Sequence, residues 1–213
     1  DALGPKREHW ASILRVALPA TATNMMSPVA AAVLTAMAAR HGHYAVAGLG
    51  VGTRIEALAL VVIIALSSAL TPFVGQNFGA RNSLRIREAV RIVLTFAFFW
   101  ELGIAALLYL GGGWVATLFT DDTATRQAII WYLLLVPISY ACQSLVILSC
   151  STLNALHLPL YGTLISVLRL FLLTIPLAWL GTWLFDLKGL YGGIAVANII
   201  AGIGTVVWLS YKL

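Results

Sequence analysis

The stretch Val90-Arg-Ile-Val-Leu-Thr-Phe-Ala-Phe-Phe-Trp-Glu-Leu-Gly-Ile-Ala-Ala-Leu-Leu-Tyr-Leu110 contains only two charged residues, Arg91 and Glu101. A helix of about 20 mostly apolar residues is long enough to cross the hydrocarbon core of a bilayer. The stretch lacks the alternation of apolar and polar residues typical of a membrane β-strand. A helix also satisfies its own backbone hydrogen bonds in lipid. The segment therefore predicts a transmembrane helix.

Five further apolar segments flank this one, and the connections between them are short. We predict six membrane helices at about 13–39, 46–73, 90–110, 126–152, 159–185 and 189–208. Hydrophobic residues make up 61% of the 213 residues and charged residues 10%, whereas a soluble domain is about 25% charged. We therefore expect an all-α membrane protein, in which residues 1–213 form a single six-transmembrane-helix bundle.

The formal net charge of +5 is explained by membrane topology and requires no nucleic-acid partner. With both ends of the chain in the cytoplasm, eight basic residues fall on the inner side and three on the outer side, as the positive-inside rule favours. Four of the inner ones lie in the run Arg81–Arg91. This run is interpreted mainly as a topology signal, and a specific anionic-lipid site is the alternative interpretation.

Three ionisable residues fall at membrane depth: Glu56, Glu101 and Arg169. Such residues are costly in lipid and usually functional. In one interpretation a carboxylate exchanges a proton or holds a cation during transport. In the other, Arg169 pairs with Glu101 or Glu56 and stabilises the bundle. The residues alone leave both open.

Uncharged polar residues and prolines suggest a cavity. Pro19 and Pro28 bracket a polar stretch of the first helix, and proline in a helix interior produces a kink. We interpret these two prolines as hinge candidates in a helix that moves during alternating access. Candidates for lining the cavity are Asn24, Met25, Met26, Tyr140, Gln143 and Asn198. We also expect Pro72 to end the second helix and Gly111–Gly113 to break the chain before a short amphipathic segment.

The sequence contains no HExxH, GxSxG or Walker motif and no Cys or His spacing typical of a metal site. Nothing in it supports an enzyme, and we expect no cofactor. The chain begins Asp1-Ala2-Leu3 without a Met. We expect it to be part of a longer protein, since six closely spaced helices are a natural half of a larger transporter.

Two stretches carry a family resemblance. Residues 50–60 (GVGTRIEALAL) with 65–81 (ALSSALTPFVGQNFGAR), and residues 149–160 followed by Arg169 and 175–179 (IPLAW), resemble the multidrug and toxic compound extrusion (MATE) family. The resemblance extends over essentially the whole chain. It implies one lobe, the C-terminal one, of a twelve-helix transporter. No acid occupies the positions of the first and fourth helices where the NorM branch binds cations, so the pattern resembles the DinF-like branch more closely.

The resemblance implies a secondary antiporter that exports cationic or amphipathic compounds in exchange for H⁺ or Na⁺. It also implies a partner, the N-terminal six-helix lobe of the same protein, in a bacterial or archaeal cytoplasmic membrane. One alternative is a lipid-linked oligosaccharide flippase of the same superfamily, which would need a strongly cationic cavity. A non-transporting membrane scaffold is the other alternative.

Overall fold

The structure, a computed structural model, describes residues 25–212, which are almost entirely helical and contain no strand. The predicted all-α membrane fold is confirmed for this part of the chain. The helices are α1 (Met25–Ala39), α2 (His43–Ala59), α3 (Val61–Gly79), α4 (Ser83–Phe119), α5 (Thr123–Leu135), α6 (Tyr140–Ala155), α7 (Pro159–Val167) and α8 (Ile175–Lys212). A 3₁₀ turn, Pro137–Ser139, joins α5 to α6, and a π-helical segment, Leu168–Thr174, joins α7 to α8.

Several of these helices follow one another with little interruption of the backbone hydrogen bonding. At Leu60, between α2 and α3, the amide still donates to the carbonyl of Glu56, 3.0 Å away. Four helical stretches are long and apolar enough to cross a membrane: Val61–Gly79, Ser83–Phe119, Thr123–Ala155 and Pro159–Tyr211. Large apolar side chains on these stretches, such as Ile64, Phe99 and Leu107, are exposed. Exposed apolar faces of this kind suit contact with lipid or with another membrane helix.

The longest stretch folds back on itself. Phe185 and Asp186 leave the helical conformation inside α8, and Asp186 has φ 52° and ψ −139°. On either side of this reversal Gly181 and Gly189 pack backbone to backbone, and Gly193 packs against Leu177 and Ala178. Small residues allow such close approach of helices in lipid. α8 is therefore two antiparallel arms, with 175–184 in the first and 187–212 in the second.

Two predicted helix ends were wrong. Pro72 lies inside α3, which continues to Gly79. Gly111–Gly113 does not break the chain, because α4 runs without interruption to Phe119. Backbone groups released in an apolar environment have no water to bind, so a glycine run that would fray in solution stays helical. Gly112 also lies against Leu133 of α5.

Outside the spans, Asp122 caps the start of α5. Its carboxylate accepts hydrogen bonds from the Thr125 hydroxyl at 2.6 Å and from the Thr125 amide at 2.8 Å. These bonds hold the pKa of Asp122 below its usual range. The cap is of the type expected at a helix N-terminus and fixes where the chain re-enters the bundle.

We predict that Gly189→Ala destabilises the bundle. A Cβ atom at this position would overlap the carbonyl of Gly181, and overpacking of this kind costs about 1–3 kcal/mol. The loss is measured as a lower melting temperature of the purified full-length protein in detergent. Gly192→Ala is the matched control, since a Cβ there meets no atom within 4 Å. Equal melting temperatures of the two variants would contradict this packing.

Candidate functional site

Five side chains form one continuous hydrogen-bonded chain between the spans. The Tyr132 hydroxyl donates to Glu56 Oε2 at 2.6 Å, and Gln143 Nε2 donates to Glu56 Oε1 at 2.7 Å. Asn198 Nδ2 donates to Gln143 Oε1 at 3.2 Å. Arg169 Nη1 donates to Asn198 Oδ1, also at 3.2 Å. We call this set (Tyr132, Glu56, Gln143, Asn198 and Arg169) the polar relay.

The chemistry of its two ends fixes the direction of every bond in the polar relay. Arginine can only donate hydrogen bonds, so it must meet the oxygen of Asn198. An ionised carboxylate can only accept, so Glu56 must meet the amino group of Gln143. The two amides then align head to tail between a positive and a negative group. Each amide dipole thereby stabilises both charges.

The Tyr132 hydroxyl reaches Glu56 because α2 and α5 approach closely at a glycine, Gly52. Gly52 precedes Glu56 by one helical turn, and the ring of Tyr132 lies directly against it. The Tyr132 ring is fully buried and packs edge-on against Tyr191, with ring centroids 5.2 Å apart. The ring is thus held in place, and its hydroxyl is aimed at the carboxylate.

The 3₁₀ turn presents polar groups from the middle of the fourth predicted span. Ser139 is fully buried; its hydroxyl donates to the carbonyl of Val136 at 2.7 Å and accepts from Asn198 at 3.2 Å. Tyr140 is also fully buried, yet its hydroxyl has no hydrogen-bond partner among the described residues. Buried hydroxyls normally have a partner, and that of Tyr140 lies close enough to the Tyr132 side chain to interact with it electrostatically.

Arg169 is placed by the π-helical segment. A π-helix leaves carbonyls without their usual partners, and here the Thr174 hydroxyl donates to the carbonyl of Arg169 at 2.8 Å. The guanidinium uses Nη1 for Asn198, while its buried Nε has no acceptor in the described part of the chain. It lines a cavity of about 390 Å³ with otherwise mostly apolar walls, between α7 and the second arm of α8. Segments of π-helix occur frequently at functional sites.

Glu101 of α4 lies outside the polar relay. Its side chain is completely buried, and neither carboxyl oxygen has a hydrogen-bond partner among residues 25–212. It is close enough to Glu56 and Tyr140 to interact with them electrostatically. A buried charge without a partner is very costly.

Several sequence-predicted residues do not join this site. Met25 is 58% exposed and Met26 is half-buried, and Pro28 is exposed within α1. Asn24 and Pro19 lie outside the described residues. The expected direct ion pair was not found, since no ion pair links Arg169 to Glu56 or Glu101, all three of which are described. Asn198 and Gln143 lie between the two charges that were expected to meet.

Sequence reasoning missed Tyr132 and Ser139. The signal was present, because Tyr132, Ser139 and Gln143 are spaced by seven and four residues and so share a helix face. Within residues 25–212, no three His, Cys, Asp or Glu side chains are grouped so that they could hold a metal ion.

The fold and sequence were compared with known proteins. The MatE family model matches residues 19–180. A curated relative from Shewanella oneidensis, the FAD transporter, is 36% identical over 197 residues, which are 92% of this chain and 44% of that protein. The multidrug export protein MepA of Staphylococcus aureus is 21% identical over 203 residues, 95% of this chain and 44% of MepA. The chain spans about half the length of the curated relatives it matches.

Solved structures agree on the fold. The Vibrio cholerae MATE transporter VcmN, in its bent form, has a TM-score of 0.89 at 31% identity, and the match covers 99% of this chain and 48% of that one. An inward-facing MATE family transporter of the MOP superfamily has a TM-score of 0.90 at 24% identity, covering 98% and 49%. These similarities do not single out a DinF-like branch.

We predict that Asn198→Leu destabilises the protein by about 1–3 kcal/mol, because Arg169 and Gln143 each lose a partner in a dry environment. Thermal unfolding of the purified full-length protein measures this. Asn154→Leu is the control, since that residue is exposed and its side chain makes no hydrogen bond in the described part of the chain. A relay that contributes nothing would leave both variants equally stable.

Proposed function

Because this chain belongs to the MatE family, we propose that it is one six-helix lobe of a secondary transporter that exports cationic or amphipathic compounds. The second lobe would be the N-terminal half of the same protein. Exchange for H⁺ or Na⁺ drives the export, by alternating access between the lobes. On the basic-residue asymmetry we place both ends of this chain in the cytoplasm, and on the family membership we place the protein in a bacterial or archaeal cytoplasmic membrane.

One observation carries this proposal: the polar relay from Glu56 to Arg169. It links several helices across an otherwise apolar bundle, and ionisable groups at such depth are usually functional. The scaffold alternative would be served equally well by apolar contacts at these positions. A lobe that must bind polar substrates or ions needs such groups.

The two acids support coupling to protons in this lobe. Glu56 accepts two hydrogen bonds and is joined to Arg169 through the amides of Gln143 and Asn198. Glu101 is buried and has no hydrogen-bond donor in the described part of the chain. Environments that separate two neighbouring acids in this way are typical of acid–base pairs in enzymes.

A second candidate function is export of an anionic nucleotide cofactor. The Shewanella oneidensis relative is named an FAD transporter, and FAD carries two phosphates. Arg169 supports this candidate, because its Nε is buried without an acceptor among the described residues and the residue lines a cavity of about 390 Å³. An arginine edge can bind a phosphate through two parallel hydrogen bonds. The flippase alternative would need more cationic groups in this lobe than Arg169.

We expect Glu56→Gln and Glu101→Gln to weaken transport by the complete protein and to alter its dependence on pH. The measurement is efflux of ethidium, a cationic dye, from cells with and without an uncoupler. Asp121→Asn removes one acid at the exposed end of α4 and should leave efflux unchanged. Normal efflux with normal pH dependence in both glutamine variants would overturn the coupling role of these acids.

The anionic alternative is tested in the same cells by export of FAD. If FAD is the substrate, we expect Arg169→Gln to reduce its export at least about tenfold, because a charged hydrogen bond of ~1.5–3 kcal/mol is lost. Arg54→Gln is the matched control, since Arg54 is exposed on α2. Undiminished FAD export by the Arg169 variant, or no FAD export at all, would reject this candidate.

A further inference from the structure

A second groove lies away from the polar relay, where the start of α4 meets the end of α8. Its volume is about 560 Å³. Its floor contains Val90 and Leu209, which are both buried. Three charged residues line it, together with apolar and small polar ones: Leu84, Arg87, Glu88, Val90, Arg91, Leu94, Thr95, Val206, Leu209 and Ser210.

The groove changes in character along the helix axis. Arg87 and Arg91 are one helical turn apart on α4, which corresponds to about 6 Å along the axis. This distance matches the thickness of one headgroup layer, since a bilayer is about 40–45 Å thick with headgroups and ~30 Å without them. Leu94 and Val206 line the part that lies deeper in the membrane. One end is thus cationic and the other apolar.

The surrounding surface is of the kind that meets lipid. Directly beyond the groove α4 exposes Ile92 (61%), Phe96 (47%) and Phe99 (64%). Glu88 is the one acidic residue on the groove wall, and the two arginines outnumber it. The groove therefore keeps a net positive end beside an apolar helix face.

We propose that this groove binds one anionic phospholipid. Its phosphate lies between Arg87 and Arg91, where guanidinium groups can make charge-assisted hydrogen bonds to phosphate oxygens. One acyl chain follows Leu94, Val206 and Leu209 toward the middle of the bilayer. The bound lipid joins α4 to the second arm of α8 at the end of the bundle where basic residues collect. Basic pockets between membrane helices are known to bind such headgroups.

The test uses the complete protein, purified in detergent and titrated with phosphatidylglycerol or phosphatidylcholine. Native mass spectrometry counts the lipids retained, and thermal unfolding follows stability. We expect preferential retention of phosphatidylglycerol with a higher melting temperature. Arg91→Gln and Arg87→Gln should each weaken retention about fivefold, the effect of one basic residue at a membrane surface.

Two controls keep the result specific. Arg85→Gln removes the same charge from the same basic run, but Arg85 is exposed and does not line the groove. Thr95→Trp keeps every charge and fills the apolar part, so it should also reduce retention. It tests the groove if the arginine variants fail to fold.

Four outcomes would overturn the proposal. The first is equal retention of the two lipids. The second is an Arg85 variant that loses as much lipid as the Arg91 variant, which would indicate a diffuse surface charge. The third is stabilisation by inorganic phosphate alone to the same extent as by phosphatidylglycerol, which would indicate a phosphate site without a lipid. The fourth is unchanged retention in every variant, which would indicate that the lipid binds elsewhere and that the other lobe covers this groove.

Discussion

The separation of two opposite charges in an apolar bundle is the constraint on which this lobe depends. Glu56 and Arg169 do not touch, yet each is stabilised through Gln143 and Asn198. In a direct ion pair the two charged groups would satisfy each other and leave few hydrogen-bonding groups for a ligand. Charges joined by neutral amides keep one unused donor at Arg169, and a second acid without a hydrogen-bond partner, Glu101, lies near Glu56. The same constraint fixes which helices must be neighbours, since the relay draws on α2, α5, α6, α8 and the π-helical segment.

Close backbone contacts make this arrangement possible. Gly52 brings α2 against the ring of Tyr132, and the pair Gly181 and Gly189 brings the two arms of α8 together. In lipid there is little hydrophobic gain from bringing helices together, so close packing has to hold the bundle. Irregular turns then aim the polar groups, as at Pro137 and in the segment 168–174. Glycines thus set the distances between the helices, and the turns set the directions of the side chains.

Much of the fold followed from the sequence because long apolar segments have few structural solutions in a membrane. Ionisable residues at depth were also visible in advance, and Glu56, Gln143, Asn198 and Arg169 do lie in one site. The contacts among these four residues could not be deduced from the sequence. They depend on how each helix is rotated about its axis, and the pattern of a single span does not show this rotation. The breaks expected at Pro72 and at Gly111–Gly113 were inferred from rules for soluble helices, and these overestimate how readily a helix ends in lipid. Tyr132 was missed because its depth in the membrane cannot be judged from the segment boundary alone.

The π-helical segment Leu168–Thr174 has a consequence for the phase of the fifth predicted span. A π turn takes up about one residue more than an α turn, and one residue of an α-helix corresponds to a rotation of about 100°. Compared with an unbroken helix, the side chains of α7 are therefore rotated about the helix axis relative to those of the first arm of α8. Removing one residue from this segment would restore a regular register and turn α7 as a unit. The side chain of Arg169 would then sweep away from Asn198, while the glycine contacts of α8 stayed in place. The orientation of α7 and that of the first arm of α8 can thus be set separately. The first is set by the polar relay and the second by the packing of the bundle.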